Sequence, residues 1–368
     1  MKDFFLDSDI DEIIKMIGAG VNHLEGKRIL ITGGGGFLGR YFLLFLNRLN
    51  KTVFKKPVEV TLVDLKFKED FGQLDIKHIH LIEHDVTKPF PYLDTYDLIL
   101  HGAGIPSPFY YQAYPLETLD VATQGTRNML EIARRNKARF LFMSSSEIYG
   151  NPDPKHVPTP ESYSGNVSPM GSRSCYDESK RLGETLCYIF NTRYGVPTIS
   201  VRPFNIYGPG MDEADYRVLP NFASRIKAGE AVKVYGSGEQ TRTFCYVTDA
   251  INGFTRALLF GVPGQAYNIG NPTPEISMLK LVEYVKKISD KPVKSSVIEY
   301  PDSYPSEEAM RRCPNIVKAQ LHLDYNPKVT LENGLERFLR WADKNYIGKF
   351  EPSSSNKVYS IFSDKPIN

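Results

Sequence analysis

Lys27-Arg28-Ile29-Leu30-Ile31-Thr32-Gly33-Gly34-Gly35-Gly36-Phe37-Leu38-Gly39 decides the fold. Its first six residues are a short apolar run closed by glycine, the pattern of a buried strand. The residues after Gly39 (RYFLLFLNRLN) have the period of an amphipathic helix. Glycines at 33, 36 and 39 leave the turn between them without Cβ atoms where backbone N–H groups must approach a ligand. A strand, such a turn and a helix form a pyrophosphate-binding unit, with the phosphates at the helix N-terminus beside Phe37 and Leu38. A second strand, 58–65, ends in Asp64, 25 residues beyond Gly39. An acid there suits the ribose hydroxyls of NAD and repels the additional phosphate of NADP. Arg40 and Lys66 lie close in sequence, so NAD is preferred to NADP without excluding it.

The alternation continues on the C-terminal side. Residues 79–82 read as a strand running into Asp85 and Val86, on the adenine side of the cofactor. Residues 96–101 read as a strand ending in Gly102-Ala103-Gly104, where the small Ala103 lets a cofactor approach. A long helix is expected over 114–137, followed by a strand over 139–143. The class is therefore α/β: a Rossmann-type doubly wound parallel sheet with a smaller C-terminal substrate lobe. The expected division is an N-terminal helical extension (1–25), an NAD-binding domain (26–205), a lobe mainly for substrate but interleaved with late sheet elements (206–348), and a polar tail (349–368). In the extension, Ile10, Ile13, Ile14 and Ile17 have helical spacing and predict a docking helix without chemistry.

The strand over 139–143 delivers Ser144-Ser145-Ser146-Glu147-Ile148-Tyr149-Gly150. A Pro-, Ser- and Gly-rich loop (151–174) follows, and then Ser174-Cys175-Tyr176-Asp177-Glu178-Ser179-Lys180 opens a helix. Tyr176 and Lys180 are four apart and share a helix face. An ammonium beside a phenol favours the phenolate and lowers a pKa otherwise near 10 (roughly). The Ser145 hydroxyl can orient a substrate alcohol. Together the three residues make a base that takes a hydroxyl proton while a hydride leaves the carbon.

Bulk properties narrow the partners. The 368 residues carry a net charge of +2 with no Lys/Arg run, which argues against nucleic acid or an anionic membrane as the main partner. No apolar run reaches the roughly 20 residues of a membrane span, and the acidic N-terminus has no secretory pattern. Cys175, Cys187, Cys245 and Cys313 show no metal spacing, as expected of reduced thiols in a cytoplasmic protein. His78, His80 and His84 lack a supporting ligand cluster and read as surface or strand residues.

Five segments in order resemble the extended short-chain dehydrogenase/reductases that remodel nucleotide sugars: TGGGGFLG (32–39), SSSEIYG (144–150), YDESK (176–180), RPFNIYGPG (202–210) and VYGSGEQTRTF (234–244). The likeness spans roughly residues 26–345 and is strongest to UDP-glucuronate decarboxylases, which have a similar loop before the tyrosine and a run that SCYDESKRLGETLCY resembles. The resemblance implies oxidation at C4 of a nucleotide sugar, a UDP-sugar above all, by bound NAD. Tyr176 would be the base, Lys180 would hold the nicotinamide ribose, and Ser145 would bond the sugar 4-hydroxyl. Glu147 matches a glutamate shared by decarboxylases and 4,6-dehydratases. Asn205, Arg217, Val218, Tyr235 and Arg242 match residues around the nucleotide and its diphosphate, and Arg312 matches a decarboxylase arginine. The family also implies a homodimer through the helices near 114–137 and 176–194; Leu182, Leu186 and Phe190 fit a buried stripe there, and an internal core would give the same pattern.

Some positions depart from the decarboxylase pattern. Asp120 stands in place of a lysine, Ser164 in place of a tryptophan, and the segment 104–111 is more aromatic. Ser146 stands where 4,6-dehydratases carry an acid. A 4,6-dehydratase or an epimerase acting on an uncharged sugar is the alternative enzyme. A non-catalytic NAD-binding regulator would be expected to lack the Tyr/Lys pair.

Overall fold

A computed structural model describes residues 5–67, 76–91, 94–300 and 308–349. Short apolar runs bounded by turn residues build one sheet. They are β1 (Arg28–Thr32), β2 (Glu59–Asp64), β3 (Ile79–Glu83), β4 (Leu98–His101), β5 (Arg139–Met143), β6 (Thr198–Pro203) and β11 (Ala266–Ile269). The order is β3-β2-β1-β4-β5-β6-β11 and every pairing is parallel. Nearly continuous burial along β1, β4 and β5 is what a parallel sheet covered on both faces requires. The strand order reverses between β1 and β4, so a crevice opens at their C-terminal ends. There Thr32 pairs with Val63 on one side and His101 on the other.

The helix α2 (Phe37–Thr52) follows the glycine turn. The helix expected over 114–137 differs from the reading. A short helix, α3 (Pro108–Ala113), precedes it and ends at Tyr114. α4 (Pro115–Asp120) then starts on proline, which suits a first helical position. A π-helical turn (Val121–Gly125) leads into α5 (Thr126–Asn136). The periodicity over 114–137 was real, but proline sets its start and the inserted turn shifts its register. α6 (Ser174–Tyr194) carries Tyr176 and Lys180 in its first two turns.

Beyond β6 the chain builds the wall over the crevice, starting with the short β7 (Ile206–Tyr207). α7 (Val218–Ala228) and β8 (Val232–Tyr235) lead to the short β9 (Thr241–Arg242) and to β10 (Cys245–Tyr246), which pairs with β7. α8 (Val247–Phe260) and β11 then return to the main sheet. β12 (Ile276–Ser277), α9 (Met278–Ile288), β13 (Ser295–Ile298), β14 (Arg311–Arg312), α10 (Val317–Leu323) and α11 (Leu331–Asn345) complete the wall, with β12 and β14 on either side of β9.

The N-terminal helix α1 (Asp7–Ile17) buries Ile10, Ile13 and Ile17. It does more than dock. Asp9 is fully buried, accepts hydrogen bonds from the Tyr41 hydroxyl (3.3 Å) and the Tyr246 hydroxyl (2.8 Å), and pairs with Arg337 (3.2 Å). One carboxylate thus ties α1 to α2, β10 and α11. Near the other end of the described chain, Glu213 accepts from the backbone N–H groups of Ile347 (2.9 Å), Gly348 (2.7 Å) and Lys349 (2.9 Å). The Tyr346 hydroxyl also donates to the Met211 carbonyl (2.9 Å). The tail expected to be polar lies, after Lys349, outside the described residues.

Candidate active site

The cofactor side is built by the glycine turn. Gly33 has φ +71°, and a Cβ there would lie 2.7 Å from the Gly102 carbonyl. A Cβ on Gly39 would lie 2.7 Å from the Gly34 Cα, so helix and turn pack without room for a side chain. Gly36, Phe37 and Leu38 start α2 at the crevice. Asp64 accepts from the N–H groups of Gly35 (2.9 Å) and Leu65 (2.8 Å), which fixes its carboxylate beside the turn. Burial raises its pKa and these bonds oppose the rise. These residues fit NAD: the cradle is closed to side chains and an acid stands at its rim. Asp85 accepts from Thr87 N–H (2.9 Å) in a tight turn, and the buried Val86 packs where Gly125 has no side chain.

Ala103 is held by residues that sequence reading missed. Its N–H donates to the Thr32 hydroxyl (3.2 Å), and that hydroxyl meets His101 Nδ1 at 2.6 Å. The other ring nitrogen, Nε2, lies 3.1 Å from the Thr126 hydroxyl, so both ring nitrogens have hydroxyl partners. Burial, with the nearby Lys180, pushes His101 down to about 3, so this buried link between β1, β4 and α5 is neutral.

Tyr176, Lys180 and Ser145 come together where β5 meets α6. Tyr176 is buried, is hydrogen-bonded to Ser145, and stacks on Tyr111 of α3 (5.2 Å between ring centroids, 15° between planes). The expected effect of Lys180 on the phenol is not the dominant one. Burial pushes Tyr176 up to about 12 and outweighs the Ser145 bond. Lys180 Nζ donates to the Met143 carbonyl (2.9 Å) and lies 5.8 Å from the Tyr176 ring centroid. Burial also pushes Lys180 down, to about 8. Spacing on a helix placed the two side chains on one face but could not reveal how little water reaches them.

Glu147 sits at the centre of an arginine cluster. Arg312 bridges both of its oxygens at 2.7 Å, and Arg173 pairs with it as well. Burial alone would raise this carboxyl. The guanidiniums of Arg173, Arg312 and Arg242 win and hold it below the usual carboxylate range. Arg173 also faces Asp177 at 3.8 Å. Arg173 and Asp177 were not singled out from sequence, although their i,i+4 spacing at the start of the Tyr176 helix was visible.

The nucleotide-side residues are less uniform. Arg217 pairs with Asp215 (2.8 Å) and acts electrostatically on Tyr176. Val218 opens α7, whose N-terminus faces Arg217 as its cap residue. Arg242 pairs with Glu308 (2.7 Å), and Tyr235 stacks on Tyr300 (6.0 Å, 21°). Asn205 has φ +42° and donates to the Thr243 carbonyl (2.7 Å), which fixes the turn after β6. Asp120 is exposed at the end of α4. His78 and His80 both face Glu59. Among the described residues no His/Cys/Asp/Glu cluster could hold a metal, and no helix is long and apolar enough to cross a membrane.

Residues 29–270 match the NAD dependent epimerase/dehydratase family. A UDP-glucuronic acid decarboxylase of Arabidopsis thaliana is 41% identical over 315 residues, covering 84% of this chain and 88% of that protein. A UDP-glucuronic acid decarboxylase of Xenopus tropicalis is 39% identical over 345 residues, covering 90% and 78%. The structure of an epimerase from Methanothermobacter thermautotrophicus superposes with a TM-score of 0.76 at 25% identity, covering 92% of this chain and 96% of the other.

Proposed function

This chain belongs to the NAD-dependent epimerase/dehydratase family, and we propose that it decarboxylates UDP-glucuronate through a transient ketone at C4 of the sugar. Bound NAD would supply the acceptor for the C4 hydride and the donor that reduces the ketone again. Gly33, Gly36, Phe37, Leu38 and Gly39 would hold its pyrophosphate, Asp64 its ribose, Asp85 and Val86 the adenine side, and Ala103 with Lys180 the nicotinamide side. Ser145 bonds the sugar 4-hydroxyl and Tyr176 takes its proton. Tyr176 gives that proton back to O4 when the ketone is reduced. Asn205, Arg217, Val218, Tyr235 and Arg242 line the nucleotide diphosphate. Arg217 and Arg242 exchange their present carboxylate partners for phosphate oxygens as substrate enters. The division into a cofactor domain (26–205) and a mainly substrate lobe (206–348) follows the same reading.

The observation that carries decarboxylation over dehydration is the state of Glu147. Loss of water from C6 needs an acid to protonate the leaving hydroxyl. Glu147 is held as an anion by Arg312 and Arg173, and the neighbouring residue is Ser146, not an acid. Departure of carbon dioxide from a β-keto acid needs no such acid. The same arginines give the site positive charge for a sugar carboxylate.

We also place the protein in the cytoplasm as a homodimer. Leu182 and Ile189 are exposed on one side of α6, and Leu116 is exposed on α4. Of the apolar positions read from sequence, Phe190 and Leu186 follow the internal-core alternative, with Phe190 buried and Leu186 packed against the core, whereas Leu182 faces out.

The test is incubation of the purified protein and NAD with UDP-glucuronate and a panel of uncharged UDP-, dTDP-, CDP- and GDP-sugars, read by mass spectrometry. Carbon dioxide and a UDP-pentose from UDP-glucuronate are expected. Loss of water from an uncharged sugar, with UDP-glucuronate inert, would replace this reading by the dehydratase one.

A further inference from the structure

Decarboxylation has a proton balance that Tyr176 cannot close. The proton Tyr176 takes from O4 must return to O4. When the C5–C6 bond breaks, its electrons enter the C4 ketone, giving an enolate and carbon dioxide. C5 must then gain a proton, so each turnover takes one from outside the substrate. The site is buried, and a second donor is needed inside it.

Three buried polar atoms around Glu147 and Arg173 make no hydrogen bond among the described residues: Tyr111 Oη, Asp177 Oδ1 and Arg312 Nε. Their residues are 1%, 5% and 7% exposed. Orphans of this kind are rare in folded proteins, and each asks for a partner. Tyr111 stacks on Tyr176, so its hydroxyl belongs to the same pocket wall. Asp177 follows Tyr176 in the chain and faces Arg173, Glu147 and Arg312 electrostatically. Tyr111 feels Arg173, Glu147, Asp177 and Tyr176. A phenol stacked on the catalytic tyrosine and the carboxyl group next to that tyrosine in the chain thus each keep an unsatisfied oxygen, and neither has an assigned task.

Building on the decarboxylation reading above, we propose that Tyr111 and Asp177 deliver to C5 the proton that decarboxylation consumes. The Tyr111 hydroxyl gives its proton to C5 of the enolate, which becomes the 4-ketone again. The carboxylic acid of Asp177 returns a proton to the Tyr111 oxygen through a bridging water, and the Asp177 carboxylate is reprotonated from solvent. The electrostatics suit a proton store. Burial pushes Asp177 up to about 7, and Glu147 adds to the rise. Arg173 and Arg312 oppose it, and Glu178 raises it further. Tyr111, packed against Tyr176 from α3, is pushed up by burial and stays protonated at neutral pH.

The experiment runs wild type, Tyr111→Phe and Asp177→Asn on UDP-glucuronate in D2O, and reads the rate and the face of C5 that carries deuterium in the pentose by NMR. Wild type is expected to place one deuterium on one face. Each variant is expected to form pentose at least tenfold more slowly with deuterium on both faces, because solvent then protonates the enolate. The wild-type rate should also fall as pH rises through about 7, and this limb should vanish in Asp177→Asn. Bound NAD and melting temperature check folding, and Tyr111→Phe keeps the ring stack. A variant that keeps the deuterium on one face, slow or fast, overturns the proposal, because packing alone would then explain the two residues. A wild type that releases no carbon dioxide from UDP-glucuronate overturns both the proposal and the reading beneath it, and is distinguished by that absence.

Discussion

The Tyr176 phenol is buried deeply enough that the protein's own groups disfavour its ionisation. A neutral phenol cannot take a second proton, so Tyr176 acts as a base only as the phenolate, the minority form here, which the Lys180 ammonium 5.8 Å from its ring centroid favours. Tyr176→Phe should lower turnover by about 10²–10⁴-fold while NAD stays bound, as stopped-flow kinetics and cofactor absorbance would show. Near-normal turnover would remove Tyr176 from the chemistry. Glu147 is a different kind of residue, an anion saturated by arginines. Glu147→Gln leaves Arg173 and Arg312 without their counter-charge, and both are buried. It should destabilise the fold by about 3–5 kcal/mol as well as slow turnover, read as a lower urea midpoint. At this scale the sequence pointed to Tyr176 and Lys180 through helical spacing and to Ser145 and Glu147 through the segment that resembles the family's. It missed Arg173, Asp177, Tyr111 and His101 because their meaning depends on burial and on which neighbours leave them unsatisfied.

The elements were legible wherever periodicity and glycine agreed. The first five strands and α6 begin and end close to where alternation and glycine place them. The region 104–137 was not, because a proline start and a π turn do not alter hydrophobic spacing enough to be read. The N-terminal helix was visible as a helix, but Asp9 looked like one more surface acid. Burial raises Asp9 from 3.8 to about 6, despite the Tyr246 hydrogen bond and Arg337. The folded protein therefore holds this proton more tightly than the unfolded chain. The resulting stabilisation is full below about pH 4 and is lost as pH rises through about 6. Asp9→Asn should flatten the decline in unfolding free energy between pH 4 and 7, measured by urea titration. An unchanged slope would mean that the carboxyl is ionised throughout.

For the whole molecule, the sheet order follows from strand–helix alternation, whereas the wall above it comes from long-range pairings such as β9 with β14, which leave no local trace. The α6 face that carries Leu182 and Ile189 is where a second copy would pack. The double variant Leu182→Arg, Ile189→Arg should halve the mass seen by light scattering. A wild type that already runs as a monomer would remove the dimer. The clasp at Glu213 bears on how the protein can be handled. Residues 347–349 are the far anchor of the loop that carries Asp215 and Arg217. A label or purification handle joined beyond Lys349 leaves that anchor alone. Cutting the chain after Asn345 frees the loop at its base. Such a shortened enzyme should keep its cofactor yet need several-fold more sugar nucleotide to reach half-maximal rate, because residues 347–349 act as a tensioner on that loop.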